Sequence, residues 1–202
     1  MGHTLKEFYQ NENVLEVAKD LIGKILVTEF EGIKTSGIIV ETEAYRGEDD
    51  RASHAFPMKK TDRTKTMFLE GGHAYIYLCY GLHHLFNVVT SAEGKPNAVL
   101  IRAIQPVLGI EEMLIRRNLA RFSTKISAGP ACLSQALGIT KAWNSHPLSL
   151  GKYIWIEEPV QPVDYQIATT TRVGVDYAGE DALLPWRFYI KGNKWVSAYP
   201  KS

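Results

Sequence analysis

Cysteine is scarce in this chain: Cys79 and Cys132 are the two among 202 residues, far apart and without CxxC or His–Cys spacing. That excludes a disulfide scaffold and a thiolate zinc site, and suits a reducing compartment. Long apolar runs are missing as well. No stretch approaches the ~20 residues that a membrane helix needs, and the opening MGHTLKEFYQNEN has no apolar signal core. The expectation is a cytoplasmic protein with no membrane contact. Repeats, low-complexity tracts and linkers are absent too, so residues 1–202 read as a single domain long enough to bury a sizeable core. The common catalytic signatures GxSxG, GxxxxGK(S/T), HExxH and a helix-opening GxGxxG do not occur. His83 and His84 are adjacent, and on a strand they point to opposite faces, which disfavours a shared metal. The chain is expected to work without metal or cofactor.

A large net charge is missing, but the small total of +1 hides an uneven distribution. Glu41 to Asp50 carries five acidic residues against Arg46. Lys59 to Lys65 carries four basic residues against Asp62, and Arg116, Arg117, Arg121 and Lys125 add four more cations within ten residues. Taken alone, these are the solvated loops and helix surface of an ordinary protein. A phosphate backbone, however, needs only one basic face.

What is present reads as short strands and helices without βαβ order. Asn13 is placed to cap a helix over Val14–Ile22, with Gly23 stopping it. Lys24 to Phe30 and Ile33 to Tyr45 form a hairpin around Glu31-Gly32, with Gly37 marking a bulge or close backbone approach. The stretch 47–58 is a loop with one helical turn around Arg51–Ala55, and Thr61–Glu70 is a short helix. His73–Leu78 and Leu85–Thr90 are strands around a Tyr80-Gly81 turn. Ala98–Ile104 is an apolar strand holding a single arginine, Arg102, which must pair with a carboxylate or face a polar cleft. Pro106 opens a helix to about Ala120, and Gly129-Pro130 opens another over Ala131–Leu137. Strands follow at Tyr153–Glu157, Gln166–Thr171 and Arg187–Ile190. The class is α+β: one mixed domain, a mostly antiparallel sheet, flanking helices and a protruding hairpin.

Two stretches carry the chemistry. Alternation along Ile33–Tyr45 brings Glu41, Glu43 and Tyr45 out on one face. In HAYIYLCYGLHHLFN, Tyr75 and Tyr77 share a face and Tyr80-Gly81 breaks the run. Singly, each tyrosine fits a core strand. Tyr45, Tyr77 and His54 are placed to form a slot for a flat ring, worth ~1–3 kcal/mol per stacking plate, beside a strand-end carboxylate, Glu43, able to act as a general base on water. Tyr80 at a hairpin tip has the form of a wedge that enters DNA between base pairs. An enzyme acting on one base of a duplex needs slot, base and wedge together. A non-catalytic nucleic-acid module and a free-nucleoside hydrolase are the rival readings. The first would make Glu43 dispensable, and the second would have no use for the wedge.

These residues resemble the alkyladenine (3-methyladenine) DNA glycosylase family. The resemblance lies in ETEAY at 41–45, YIYLCYGLHHLFN at 75–87, LIRA at 100–103, GPACLSQAL at 129–137, RVGV at 172–175 and PWRFYI at 185–190, running in order from about Thr4 to Ala198. It implies a monofunctional enzyme that binds the minor groove of damaged double-stranded DNA as a monomer and flips out the damaged nucleotide. Hydrolysis then leaves an abasic site, the first step of base excision repair. Alkylated and deaminated purines are the implied substrates: 3-methyladenine, 7-methylguanine, hypoxanthine and etheno-adenine. It implies Glu43 as general base, Arg102 as its partner, and Tyr45, His54 and Tyr77 around the flipped base. Tyr80 is then the intercalating residue, and Asn87 opposes the 2-amino group of guanine. It also implies that the aromatic slot favours cationic alkylated bases through cation–π attraction. One departure stands out: after Gly129-Pro130 the family usually carries a small residue and then lysine, and here the pair is Ala131-Cys132, which removes a phosphate-contacting cation.

Overall fold

A strand that pairs with three others organises the molecule. The structure, a computed structural model, describes residues 6–161 and 163–197; Thr4 and Ala198, the ends of the family resemblance, lie outside them. Helices α1 (Lys6–Tyr9) and α2 (Val14–Asp20) lead into strands β1 (Ile25–Phe30) and β2 (Ile33–Arg46). The hairpin β3 (Ala74–Cys79) and β4 (His83–Thr90) precedes β5 (Asn97–Leu108). Helices α3 (Ile110–Arg116) and α4 (Pro130–Ala136) follow, and β6 (Ile154–Glu157), β7 (Ile167–Thr170) and β8 (Arg187–Ile190) complete the sheet.

Among the described residues every strand pairing is antiparallel, in the order β3-β4-β5-β2-β1-β6. The sheet forks at β2. Its Ile33–Ile38 half pairs with β1, its Glu41–Glu43 segment pairs with β8, and β5 runs along its other side from Ser36 to Arg46. Strand β7 then pairs with β8. Glu41 and Glu43 therefore sit in the middle of a sheet with backbone on both sides, and both are fully buried. No helix among the described residues is long and apolar enough to cross a membrane.

Local chemistry explains most of the elements. The Asn13 side chain accepts from the Leu15 and Glu16 amides and caps α2. Glu31 (φ 53°) and Gly32 (φ 79°) both take the left-handed conformation in the two-residue turn between β1 and β2, and Tyr80 (φ 51°) and Gly81 (φ 71°) do so in the three-residue Tyr80-Gly81-Leu82 turn between β3 and β4. Gly37 sits at a register shift of β2, where a Cβ would lie 2.8 Å from the Gln105 carbonyl oxygen and from Ile104 Cδ1. The main core packs α2 and α4 on the sheet through Leu21, Leu26, Ile39, Phe86, Ile101, Leu133 and Phe188. Two small satellite clusters flank the future site: Met67, Phe68 and Tyr75 with Tyr77 beside them, and Ala52, Val175 and Ala178 with Tyr45 beside them.

Three expectations fail. No helix starts at Pro106, which continues β5 through to Leu108. Proline is tolerated there because β2 shifts register opposite it, between Ser36 and Gly37. The helix begins after Gly109, whose φ of 75° breaks the strand. The helix expected over Thr61–Glu70 shrinks to one 3₁₀ turn, Lys65–Phe68. Thr61 and Thr64 capture each other's hydroxyl and backbone groups, and Thr64 Oγ1 donates to the Lys59 carbonyl, which competes with helical bonding. Arg51–Ala55 forms turns without a helical segment.

The Gly37 approach gives a direct test. Gly37→Ala forces the β2–β5 backbones apart and should cost about 1–3 kcal/mol, read as a lower midpoint in urea or thermal unfolding. An unchanged midpoint would show that the strands yield without strain.

Candidate active site

The site begins with two carboxylates two positions apart in sequence. Because alternate residues of β2 share a face, Glu41 and Glu43 point the same way, and Arg102 on β5 reaches both. Its Nε donates to Glu41 Oε1 at 2.8 Å, and its Nη1 lies 3.2 Å from Glu43 Oε1. Arg187 Nε on β8 donates to the same Glu41 oxygen at 2.7 Å, and Ser197 adds its amide and hydroxyl. Burial alone would pull the Arg102 pKa down, but Glu43 and Glu41 outweigh it and hold the guanidinium above its ordinary value.

Glu43 is held from three sides. The Tyr45 hydroxyl donates to Oε2 at 2.7 Å and the Val173 amide donates to Oε1 at 2.8 Å, with Arg102 as the third. Burial, then the Glu43 charge and hydrogen bond, push the Tyr45 phenol well above its usual pKa, so it stays a donor. Val173 is fixed by its neighbour: Arg172 donates to both Asp50 oxygens, at 2.6 and 2.8 Å, and to the Ala44 carbonyl at 3.0 Å. The Arg172 guanidinium also lies 4.9 Å from the centre of the Tyr45 ring.

In front of these groups opens a cavity of about 450 Å³. Tyr45, His54, Tyr77, Tyr80, Asn87 and Arg102 all line it, so six of the seven sequence-derived site residues meet in one place. The seventh, Glu43, lies behind the wall, reached between Tyr45, Arg102 and Val173. Tyr75 and Tyr77 stack with centres 5.5 Å apart, and the His54 ring stands edge-on to Tyr77 at 4.6 Å. Burial pushes the Tyr75 phenol up to about 12 and Tyr77 further. Burial and then Arg63 lower His54 to about 4, which keeps its imidazole neutral. Asn87 is buried and donates to the Tyr75 carbonyl at 3.0 Å. At the rim Tyr80 is 92 % exposed in its left-handed turn, with Leu82 exposed beside it.

Several partners were not singled out from sequence. Glu41 appeared only as a face-mate of Glu43, and Arg172 and Arg187 only within the RVGV and PWRFYI stretches. Arg63 was one of a basic cluster, yet it lines the cavity. Tyr177, exposed with its hydroxyl on the Ala52 carbonyl, carried no signal. At Cys132 the structure brings in a cation: Arg117 Nη2 lies 3.2 Å from the sulfur, and Lys125 contributes its carbonyl to the same guanidinium.

Residues 7–194 match the family model described as methylpurine-DNA glycosylase (MPG). A relative from Clostridium acetobutylicum is 45% identical over 204 residues, covering 98% of each chain. One from Natranaerobius thermophilus is 44% identical over 192 residues, 95% of this chain and 96% of its own. One from Bacillus cereus is 47% identical over 201 residues, 94% and 96% respectively. All three are named, provisionally, as 3-methyladenine DNA glycosylases.

The lowered His54 has a consequence for stability. The unfolded chain protonates this histidine near pH 6.5 and the folded chain only near 4. Its contribution is therefore intact above about pH 6.5 and is lost as pH falls toward 4, on the order of 2 kcal/mol. In urea unfolding at pH 7 and pH 4.5, His54→Asn should lose less stability between the two than the wild type. Equal losses would refute the assignment.

Proposed function

The chain belongs to the methylpurine-DNA glycosylase family, hydrolases of N-glycosyl bonds in DNA, and on that premise we propose that it excises alkylated and deaminated purines from duplex DNA. The substrates in this reading are 3-methyladenine, 7-methylguanine, hypoxanthine and etheno-adenine. The observation that carries it is Glu43, buried and gripped by Arg102, Tyr45 and the Val173 amide directly behind an aromatic cavity.

In this reading residues 1–202 act as one domain, a cytoplasmic monomer that docks on the minor groove. The damaged nucleotide rotates out of the stack into the cavity, and Tyr80 fills the gap it leaves. Its exposure and its place on a tight three-residue turn suit that task. The base lies among Tyr45, His54 and Tyr77. Glu43 takes a proton from water, the hydroxide oxygen bonds to C1′, and the electron pair of the N-glycosyl bond leaves with the base. Alkylation makes the base a better leaving group because it departs neutral. Arg102 and the Val173 amide orient the carboxylate. Arg117 at Cys132 supplies the positive charge near the start of α4 that the family's lysine otherwise provides.

Base release from methylated and from hypoxanthine-containing duplexes, in EDTA, tests the reading. Glu43→Gln should bind lesion DNA as the wild type does and lose excision by about 10²–10⁴-fold. Full activity in that variant would remove Glu43 as the base. Asn87 gives a second test through selectivity. Replacing it with serine opens space against the 2-amino group of guanine, and release of undamaged guanine should rise about tenfold. Unchanged selectivity would withdraw the role.

A further inference from the structure

The cavity contains a cation that the proposed chemistry does not use. Arg63 lines it, with its guanidinium 4.9 Å from the centre of the Tyr77 ring and Nη2 3.0 Å from His54 Nε2. Among the described residues no carboxylate pairs with it; its neighbour Asp62 is taken by Lys65. His54 accepts from Arg63 on Nε2, which leaves its Nδ1 proton for the Tyr75 hydroxyl, 3.1 Å away. The charge is thus fixed by one aromatic ring and one imidazole rather than neutralised.

We propose that Arg63 is a specificity-determining residue of the cavity: its positive charge disfavours bases that are themselves cationic, the N3- and N7-alkylated purines, relative to neutral purines that present an acceptor edge, such as hypoxanthine. The inference rests on the glycosylase reading above. A slot of neutral tyrosines would attract a cationic base through its π faces. Here each plate already has a guanidinium on it, Arg63 at Tyr77 and Arg172 at Tyr45, both at 4.9 Å. A further cation entering between them gains less from the rings and meets the like charge of Arg63, which lines the cavity while itself exposed to solvent. A neutral purine meets no such repulsion, and its ring nitrogen and oxo acceptors find N–H donors on Arg63. Alkylated bases still leave more readily once bound, so Arg63 narrows the gap between the two lesion classes without reversing the chemistry.

The test is single-turnover base release from duplexes carrying one N7-methylguanine or one hypoxanthine, with wild type, Arg63→Gln and Arg63→Lys. Arg63→Gln removes the charge and keeps donors. It should raise the ratio of N7-methylguanine to hypoxanthine release about five- to tenfold. Arg63→Lys keeps the charge and should leave the ratio within about twofold of wild type. A packing role would slow both lesions alike and leave the ratio still. An unchanged ratio in Arg63→Gln, or the same rise in Arg63→Lys, overturns the inference. So does a uniform loss of duplex binding in Arg63→Gln with the ratio unchanged, which would place Arg63 on a phosphate. Release of neither base by the wild type would overturn the glycosylase reading itself, a failure distinct from the others.

Discussion

Two carboxylates buried in the middle of a sheet set the terms for everything around them. Glu41 and Glu43 have no exposed surface, and a charge in that position is tolerable only when paired and hydrogen-bonded. The fold answers with two arginines from different strands, Arg102 on β5 and Arg187 on β8. The fork in the sheet has its reason here. Without β8 along Glu41–Glu43, the hub carboxylate would face one arginine instead of two. Removing a single partner would strand a buried charge, at a cost of about 3–5 kcal/mol. Glu41 serves this network, which leaves Glu43 free to be held by lighter partners near the cavity.

Behind the cavity wall the charges are locked in pairs; in front, the surfaces are aromatic. Asp50 and Arg172, 122 residues apart, tie the 47–58 loop to the 172–175 segment, and this second buried pair aims the Val173 amide at Glu43. The tyrosines keep their protons because burial penalises the phenolate. A flat aromatic slot thus borders a densely ionic floor that reaches it through Arg102, and Arg63 adds a charge from the opposite, exposed side without a carboxylate partner among the described residues.

Much of this was legible from sequence where the signal is local. Alternation along Ile33–Tyr45 put Glu41, Glu43 and Tyr45 on one face, the Glu31-Gly32 and Tyr80-Gly81 pairs marked both hairpin turns, and Gly37 marked the close approach. An arginine in the apolar run of β5 called for a carboxylate or a polar cleft, and it has two carboxylates and also lines the cavity. What failed was decided at a distance. Pro106 has the local look of a helix start, but pairing with β2 across some seventy positions overrides it. The Thr61–Glu70 segment loses its helix to threonine side chains that satisfy the backbone first. Arg172 and Arg63 were invisible as site residues because their meaning lies in what they face, not in what flanks them.

The Asp50–Arg172 clamp also bears on how the molecule breathes. Loops that carry function usually open independently of the core, each with its own small free energy. Here two such loops are joined to each other and, through the Ala44 carbonyl and Glu43, to the central strand. Loosening either loop therefore breaks the Asp50–Arg172 pair or the Val173–Glu43 bond, which couples the floor of the site to the sheet. The hairpin tip with Tyr80 and Leu82 is free of that bond. Adaptability is therefore confined to the part that meets the irregular surface outside, and the reactive centre is kept out of the fluctuations.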